Sequence, residues 1–288
     1  MSTLDLFSLW KNVTPKRFKK QLMVAWYNAV ARFDREGDLL FMNHGYQLGT
    51  ELLLPPELEP FRYPIQLYDL LGREVDWTGK DALEVSSGLG GGTVWIWRHY
   101  RPRSLNGLDI APQQVKKCQQ RFSLFGIDYT TGDAQSMPFP DAGFDIVVNI
   151  ESSLNYPDFS AFLNEVLRVL RPGGHFLFAD YRRSDKLPRL RMKLTNSGME
   201  TIWLRDITRG ITAGMEMEDL RKADLIARRI PRPFVRSAMN FAGLGTGNFN
   251  EKQQFATGKK SYLAGVLRKP RLQNDHNLNP SAARSLVE

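Results

Sequence analysis

The 288-residue chain has few of the residue types that build metal and disulfide sites. A single cysteine, Cys118, excludes a disulfide framework and any zinc site assembled from thiolates. Four scattered histidines (His44, His99, His175 and His276) show no HxxxH-type spacing, so no histidine-based metal centre is expected. No run of eighteen apolar residues occurs, so no segment reads as an integral membrane span. No internal repeat is visible. These absences suit a reducing, cytoplasmic compartment.

What is present is ordinary for a globular protein. Hydrophobic residues are 42% and charged residues 24% of the chain, enough for a sizeable core in one large domain or two modest ones. The formal charge of +8 (39 basic against 31 acidic residues) raises the question of nucleic acid, anionic membrane or acidic substrate as partner. Its distribution narrows that question. Lys11, Lys16, Arg17, Lys19, Lys20 and Arg32 against Asp5 leave +5 in residues 1–33. Arg268, Lys269, Arg271 and Arg284 against Asp275 and Glu288 leave +2 at the other end. Seven of the eight surplus charges therefore lie on the flanks.

The basic residues 16–20 precede an apolar stretch, Leu22 to Ala31, which superficially resembles a secretory signal. Tyr27 and Asn28 interrupt it and Arg32 follows directly, so it is not read as one. Phe18, Leu22, Trp26 and Val30 recur at intervals of four, one face of an amphipathic helix. Such a helix packs on the main domain or a neighbouring subunit, as in a homo-oligomer, or closes as a lid over a hydrophobic substrate; lying on an anionic membrane is less favoured, because its polar face beyond residue 20 is not strongly basic.

From residue 80 strands alternate with helices. Asp81–Ser86, Ser104–Ile110, Ile127–Thr131, Phe144–Ile150 and His175–Asp180 read as strands, with helices over 93–100, 112–122 and 158–170. That alternation predicts an α/β doubly wound sheet. Farther on, 187–194 and 218–229 read as helices, 200–207 and 261–268 as strands, and 234–258 as a helix followed by a loop. The expected organisation is an N-terminal helical lid over 1–64, a sheet domain over 65–268 with a helical insert before the last strand, and a disordered tail over 269–288.

The turn after the first strand, Glu84-Val85-Ser86-Ser87-Gly88-Leu89-Gly90-Gly91-Gly92, opens a helix, so a ligand can lie against backbone N–H groups there. It matches a GxGxxG dinucleotide fingerprint poorly, because Thr93 stands at the last position. The surrounding spacing is more informative. Asp109 lies 25 residues after Glu84 at the end of the second strand, where an acid can accept two hydrogen bonds from a ribose diol. Gly132-Asp133-Ala134 follows the third strand and sets a carboxylate where an adenine amine would lie. Phe144-Asp145-Ile146-Val147 and Leu170-Arg171-Pro172-Gly173-Gly174 come next in order.

Together these five motifs resemble the class I S-adenosylmethionine-dependent methyltransferases over roughly residues 65–182. The resemblance implies a Rossmann-like, mostly parallel, seven-stranded sheet and S-adenosylmethionine as cofactor. It further implies a cofactor site built from Glu84, Ser86, Gly88, Gly90, Asp109, Ile110, Gln114, Asp133, Ala134 and Asn149. The Glu84-Val-Ser86 turn, the triple glycine and Asn149-x-Glu151 are similar to a branch acting on lipidic or terpenoid natural products. That branch includes the phthiotriol and phenolphthiotriol dimycocerosate methyltransferases. Two departures stand out. Ser86 occupies a position usually held by glycine, and Ser152-Ser153-Leu154-Asn155-Tyr156 lacks the histidine that often follows the fourth strand there.

Ligands of open α/β sheets lie beyond the carboxyl ends of the strands, which restricts the catalytic candidates. Glu151, just past the fourth strand, is either a base or polar anchor near the methyl group, or a loop carboxylate tied to its neighbours. His44 and Tyr46, within Met42-Asn43-His44-Gly45-Tyr46, either meet substrate from the lid or face solvent. His175 begins the fifth strand, at the wrong end for chemistry, and Cys118 sits at a core-like helical position. Eleven arginines between Arg182 and Arg236 are interspersed with acids, and no appended nucleic-acid module is visible. Met192, Met199, Met215, Met217 and Met239 suggest a cap over an adaptable hydrophobic pocket. The leading expectation is methyl transfer to oxygen or carbon of a hydrophobic small molecule. The alternative is a cofactor-binding relative that templates a cyclisation without methylating.

Overall fold

The computed structural model describes residues 16–271 except 35, 36, 38, 48, 50, 51 and 246–249. The expected disorder beyond residue 271 lies outside the described residues. Within them, the first part of the tail is held: the Lys269 amide and carbonyl bond Gly174 and Gly173, and its ammonium caps the Leu167 and Leu170 carbonyls at 2.7 Å.

A seven-stranded sheet runs in the order β3-β2-β1-β4-β5-β7-β6. Its strands are β1 (Asp81–Val85), β2 (Ser104–Asp109), β3 (Asp128–Thr131), β4 (Phe144–Ile150), β5 (Leu170–Arg183), β6 (Glu200–Asp206) and β7 (Lys260–Arg268). β1 to β5 pair in parallel, and β7 runs antiparallel between β5 and β6. The chain winds outward from β1 through β2 and β3, then returns to β1's other side as β4. Strand order therefore reverses between β1 and β4, and the connections there leave in opposite directions, opening a crevice.

Side-chain alternation divides the core into two layers. Ile146, Val148, Ile150, Leu177, Ala179, Tyr262, Ala264 and Val266 face one layer, while Phe144, Val147, Phe176, Phe178, Leu263 and Leu267 face the other. The first layer is covered by α2 (Arg62–Gly72), α3 (Gly91–Tyr100), α4 (Pro112–Arg121) and α7 (Thr208–Arg229). The second is covered by α5 (Phe159–Val169) and α6 (Leu187–Thr195). Asp158 caps α5 by accepting from the amides of Ser160 and Ala161, and Phe162, Leu163, Val166 and Val169 form its buried stripe. The expectation of a doubly wound, mostly parallel sheet holds.

Two local readings are revised. α7 begins at Thr208, ten residues before the helix read from sequence. Gly210 and Gly214 weaken helix propensity there, but they serve close packing: a Cβ on Gly214 would lie 2.7 Å from the Gly45 and Tyr46 backbone, and one on Gly210 would enter the Tyr46 ring. In the remainder of the insert, α8 (Val235–Phe241) is followed by a second helix, α9 (Glu251–Ala256), where a loop was expected.

The N-terminal helix α1 (Lys16–Phe33) docks by a different face from the one its apolar spacing suggests. Leu22 is 41% exposed, whereas Met23 and Ala31 are buried. Polar anchors decide the rotation. Asn28 accepts from the Gln113 amide at 3.0 Å, the Ala31 carbonyl accepts from Lys117 at 2.6 Å, and Asp34 pairs with Arg121 at 2.8 Å. Among the described residues, no helix is long and apolar enough to cross a membrane.

Gly214→Ala forces either α7 or the 43–46 segment to move, because the obstructing atoms are backbone. We expect a loss of about 1–3 kcal/mol in urea-denaturation stability, the usual scale for overpacking.

Candidate active site

The carboxyl ends of β1, β2, β3 and β4 converge on one cleft, closed on the far side by α1 and residues 40–43. Ser86, Gly88, Asp109, Ile110, Gln114, Asp133, Ala134 and Glu151 line it. Glu84, Gly90, Asn149, His44 and Tyr46 do not, although several of them brace residues that do.

At the end of β1 the backbone turns sharply, with positive φ at Ser86 (62°) and Gly88 (56°). Left-handed backbone is costly for serine, and a side-chain hydrogen bond offsets it here. Ser86 Oγ lies 2.7 Å from the Tyr156 hydroxyl. Tyr156 also accepts from Asn149 Nδ2 at 3.0 Å, and that amide reaches the Val85 carbonyl at 3.1 Å. The two departures from the family pattern, Ser86 and the segment ending in Tyr156, thus meet each other and tie the β1 turn to the loop after β4. The sequence offered no signal for that pairing.

Glu84 lies beneath the turn. Its carboxylate accepts from the Tyr68 hydroxyl at 2.7 Å and from Thr93 Oγ1. Burial pushes its carboxyl up to about 7 against the pull of those two bonds. Asp109 is similarly pushed up to about 6 by burial, although it accepts the amides of Gly88 at 2.9 Å and Ala111 at 2.8 Å. Cys118 donates to the Gly88 carbonyl at 3.4 Å, and burial raises its thiol to about 12, so it supports the turn without reactivity.

The cleft fits a polar, nucleoside-bearing ligand. Ser87 Oγ and Gln114 Nε2 are buried on its wall without hydrogen-bond partners among the described residues. Unpaired buried donors and acceptors are costly, and ligand groups would satisfy them. Asp109 stands beside the glycine turn, where a diol would meet it. At the third strand, Asp133 Oδ2 accepts from Lys20 of α1 at 2.6 Å. Burial raises the Asp133 carboxyl, but Lys20 and the bonds from Gln135 outweigh it and the net shift is downward. Met23 and Tyr27 extend α1's contribution to the wall.

Just past β4, on the wall of the cleft, stands Glu151, whose φ is 49°. Its carboxylate accepts the His44 amide at 2.9 Å on Oε1 and the Tyr262 hydroxyl at 3.0 Å on the same oxygen. His44 Nδ1 stands 3.1 Å from Oε2. Both partners are enclosed: the side chains of His44 and Glu151 are 11% and 8% exposed. Burial raises the Glu151 carboxyl, yet His44, by charge and by two hydrogen bonds, together with Lys222 holds it below its ordinary value. Residues 107 positions apart, proposed separately from sequence, form one unit, with Glu151 on the wall of the cleft and His44 outside its lining. Tyr181 and Phe255 wall the imidazole, with ring centroids 5.1 and 5.8 Å away.

Tyr46 packs over Gly210 instead, away from the cleft. None of the five methionines expected to cap the pocket lines it. Met192 and Met217 are exposed, Met199 and Met215 are core, and the methionines on the wall are Met23 and Met42. Their number reflected the composition of the insert, and composition does not say which helix covers a crevice.

Comparison with known proteins follows the same line. A family described as a methyltransferase domain matches residues 83–178. The phthiotriol/phenolphthiotriol dimycocerosates methyltransferase of Mycobacterium leprae is 38% identical over 76% of this chain and 82% of its own. The fatty-acid O-methyltransferase of Mycolicibacterium smegmatis is 35% identical over 82% of this chain and 86% of its own. Among solved structures, the [4+2]-cyclase SpnF superposes with a TM-score of 0.66 at 20% identity, covering 88% of this chain and 97% of that one. Geranyl diphosphate C-methyltransferase from Streptomyces coelicolor A3(2) gives 0.62 at 16% identity, covering 89% and 98%. At those identities the structural likeness is one of fold.

Glu84 yields a pH prediction. Its folded value of about 7 lies above its ordinary 4.5, so the stability it contributes is full below the unfolded value and lost as pH rises through about 7. Glu84→Gln stays neutral throughout, and should gain about 2 kcal/mol on the wild type between about pH 5 and pH 8 in denaturation of the ligand-free protein.

Proposed function

Because the chain belongs to the class I S-adenosylmethionine-dependent methyltransferases, we propose that it methylates a hydroxyl group on a hydrophobic small molecule, a lipid or terpenoid-type natural product. The observation that carries this reading is the Glu151 carboxylate, held ionised on the wall of the cofactor cleft by His44. S-adenosylmethionine supplies an electrophilic methyl group on a sulfonium sulfur. Asp109 would hold its ribose, Asp133 and Ala134 its adenine, and Ser86 to Gly88 its methionyl end. Ser87 and Gln114 are further polar contacts from the same wall.

A hydroxyl is a poor nucleophile until its proton is shared with a base. Glu151 can accept that proton as the acceptor oxygen takes the methyl group. The same charge disfavours a carboxylate acceptor, which would bring a second anion against a desolvated one. The reading therefore differs in acceptor group from the fatty-acid O-methyltransferase relative, and stays with the hydrophobic class suggested by both relatives' names. Met23, Tyr27, Phe41 and Met42 on the wall favour an apolar body for the acceptor.

We take residues 65–268 as the catalytic unit and α1 as its lid. Lys20 on Asp133 and Asp34 on Arg121 hold the two ends of α1 across the cleft. Closure of that kind keeps water from the reacting groups.

The test is incubation with methyl-labelled S-adenosylmethionine and matched long-chain alcohols, phenols and fatty acids, followed by mass spectrometry. Labelled methyl ethers are expected. Methyl esters or carbon-bound label would overturn the hydroxyl assignment, and conversion of an acceptor without loss of the methyl group would favour templated cyclisation. Glu151→Gln should lower kcat about 10²-fold with cofactor affinity unchanged.

A further inference from the structure

Tyr262 was not singled out by any feature of the sequence. It lies near the start of β7 with no exposed surface, across from Tyr181 on β5. Both of its backbone polar groups are taken by the start of α7. Its amide donates to Thr208 Oγ1 at 2.9 Å, and its carbonyl accepts from the Ile207 amide at 2.9 Å. Its ring is packed by Tyr181 and Phe255, with centroids 6.0 and 6.3 Å away. The hydroxyl of this immobilised ring donates to Glu151 Oε1 at 3.0 Å.

An ionised carboxylate has about four lone-pair positions, two on each oxygen. On Oε1 the hydroxyl of Tyr262 and the amide of His44 occupy both. On Oε2 the contact is His44 Nδ1. We propose that Tyr262 is a positioning residue for methyl transfer: its phenol, fixed from behind by the start of α7, fills Oε1 and makes Oε2 the oxygen that receives the acceptor's proton. The inference rests on the reading of Glu151 as base.

The same helix braces the other side of the unit. The Gly210 carbonyl accepts from the Gln47 amide at 3.0 Å, and Lys222 donates to the Asn43 carbonyl at 3.2 Å. α7 thus bears on both His44's segment and Tyr262, so the insert sets the direction of the carboxylate. The charged and titratable groups around Glu151 are His44, Lys222, Tyr262, Tyr181, Tyr27, Tyr68 and Asp180. The tyrosines are held above their ordinary range by burial, so Tyr262 stays a donor across the working pH range.

Tyr262→Phe removes the hydroxyl and keeps the ring. Two readouts test it, and neither responds to packing alone. The first is the carboxyl titration of Glu151, followed by NMR on ¹³C-glutamate-labelled protein with bound S-adenosylmethionine and assigned by its loss in Glu151→Gln. Loss of a donor to the anion should move the midpoint up by about one unit, while the melting temperature and cofactor affinity hold. An unmoved midpoint overturns the proposal, whatever the acceptor proves to be.

The second is a double-mutant cycle on the hydroxyl compound methylated in the labelling assay. Tyr262→Phe alone should lower kcat about tenfold and shift the acid limb of the rate profile upward, with KM changed less than about twofold. In a Glu151→Gln background the same substitution should change kcat less than about twofold. A full tenfold loss in that background means an independent packing role and overturns the proposal. A Glu151→Gln protein with wild-type kcat overturns the base reading instead, and the titration still reports whether Tyr262 holds the carboxylate.

Discussion

The architecture turns on what happens to the backbone at the carboxyl ends of two neighbouring strands. β1 and β4 sit on either side of the point where strand order reverses, and each is followed by a non-glycine residue with left-handed backbone, Ser86 and Glu151. Such conformations cost on the order of 1–3 kcal/mol each and persist only where surrounding contacts over-determine them. Ser86 is held through Tyr156 and Asn149, and Glu151 through His44 and Tyr262. One set of contacts shapes the turn after β1, and the other fixes the Glu151 carboxylate.

Two elements outside the parallel sheet complete the arrangement. α1 closes the cleft and is clasped by polar groups at both ends, which makes its docking depend on charge as well as on apolar burial. α7 can approach the 43–46 segment only because Gly210 and Gly214 carry no Cβ. The approach brings His44 over Glu151, joining an N-terminal segment to the core of the sheet. The loop after β4 is secured separately, by fully buried Asp180 accepting from Ser153 Oγ at 2.5 Å and the Leu154 amide at 2.9 Å.

The electrostatics of the interior run opposite to those of the chain. The protein is basic overall, but the cleft and the wall behind it hold Glu84, Asp109, Asp133 and Glu151. Two of these are pushed upward by burial and two are held down by basic partners. A cofactor carrying a positive sulfonium and an amino group suits such a lining, because it restores the ionised forms that burial disfavours. The basic flanks carry no such information about the substrate.

The sheet, the acids at its strand ends and its glycine turn were legible in the sequence because they are local. Short apolar runs between helices, Gly88 and Gly90, and acids at strand ends such as Asp109 and Asp133 obey backbone rules that act within a few residues. The face of α1 that packs, the start of α7 and the union of His44, Glu151 and Tyr262 were not. Leu22 is apolar yet exposed, because Asn28 and Asp34 find partners on α4 that no spacing rule anticipates. Tyr262 reads in sequence as one more strand aromatic, since hydrogen bonds between residues 111 positions apart leave no periodic trace. Sequence alone determined that this chain builds a Rossmann-like cofactor cleft. The direction of the Glu151 carboxylate was decided only by tertiary packing, because it is set by three chain segments meeting in space.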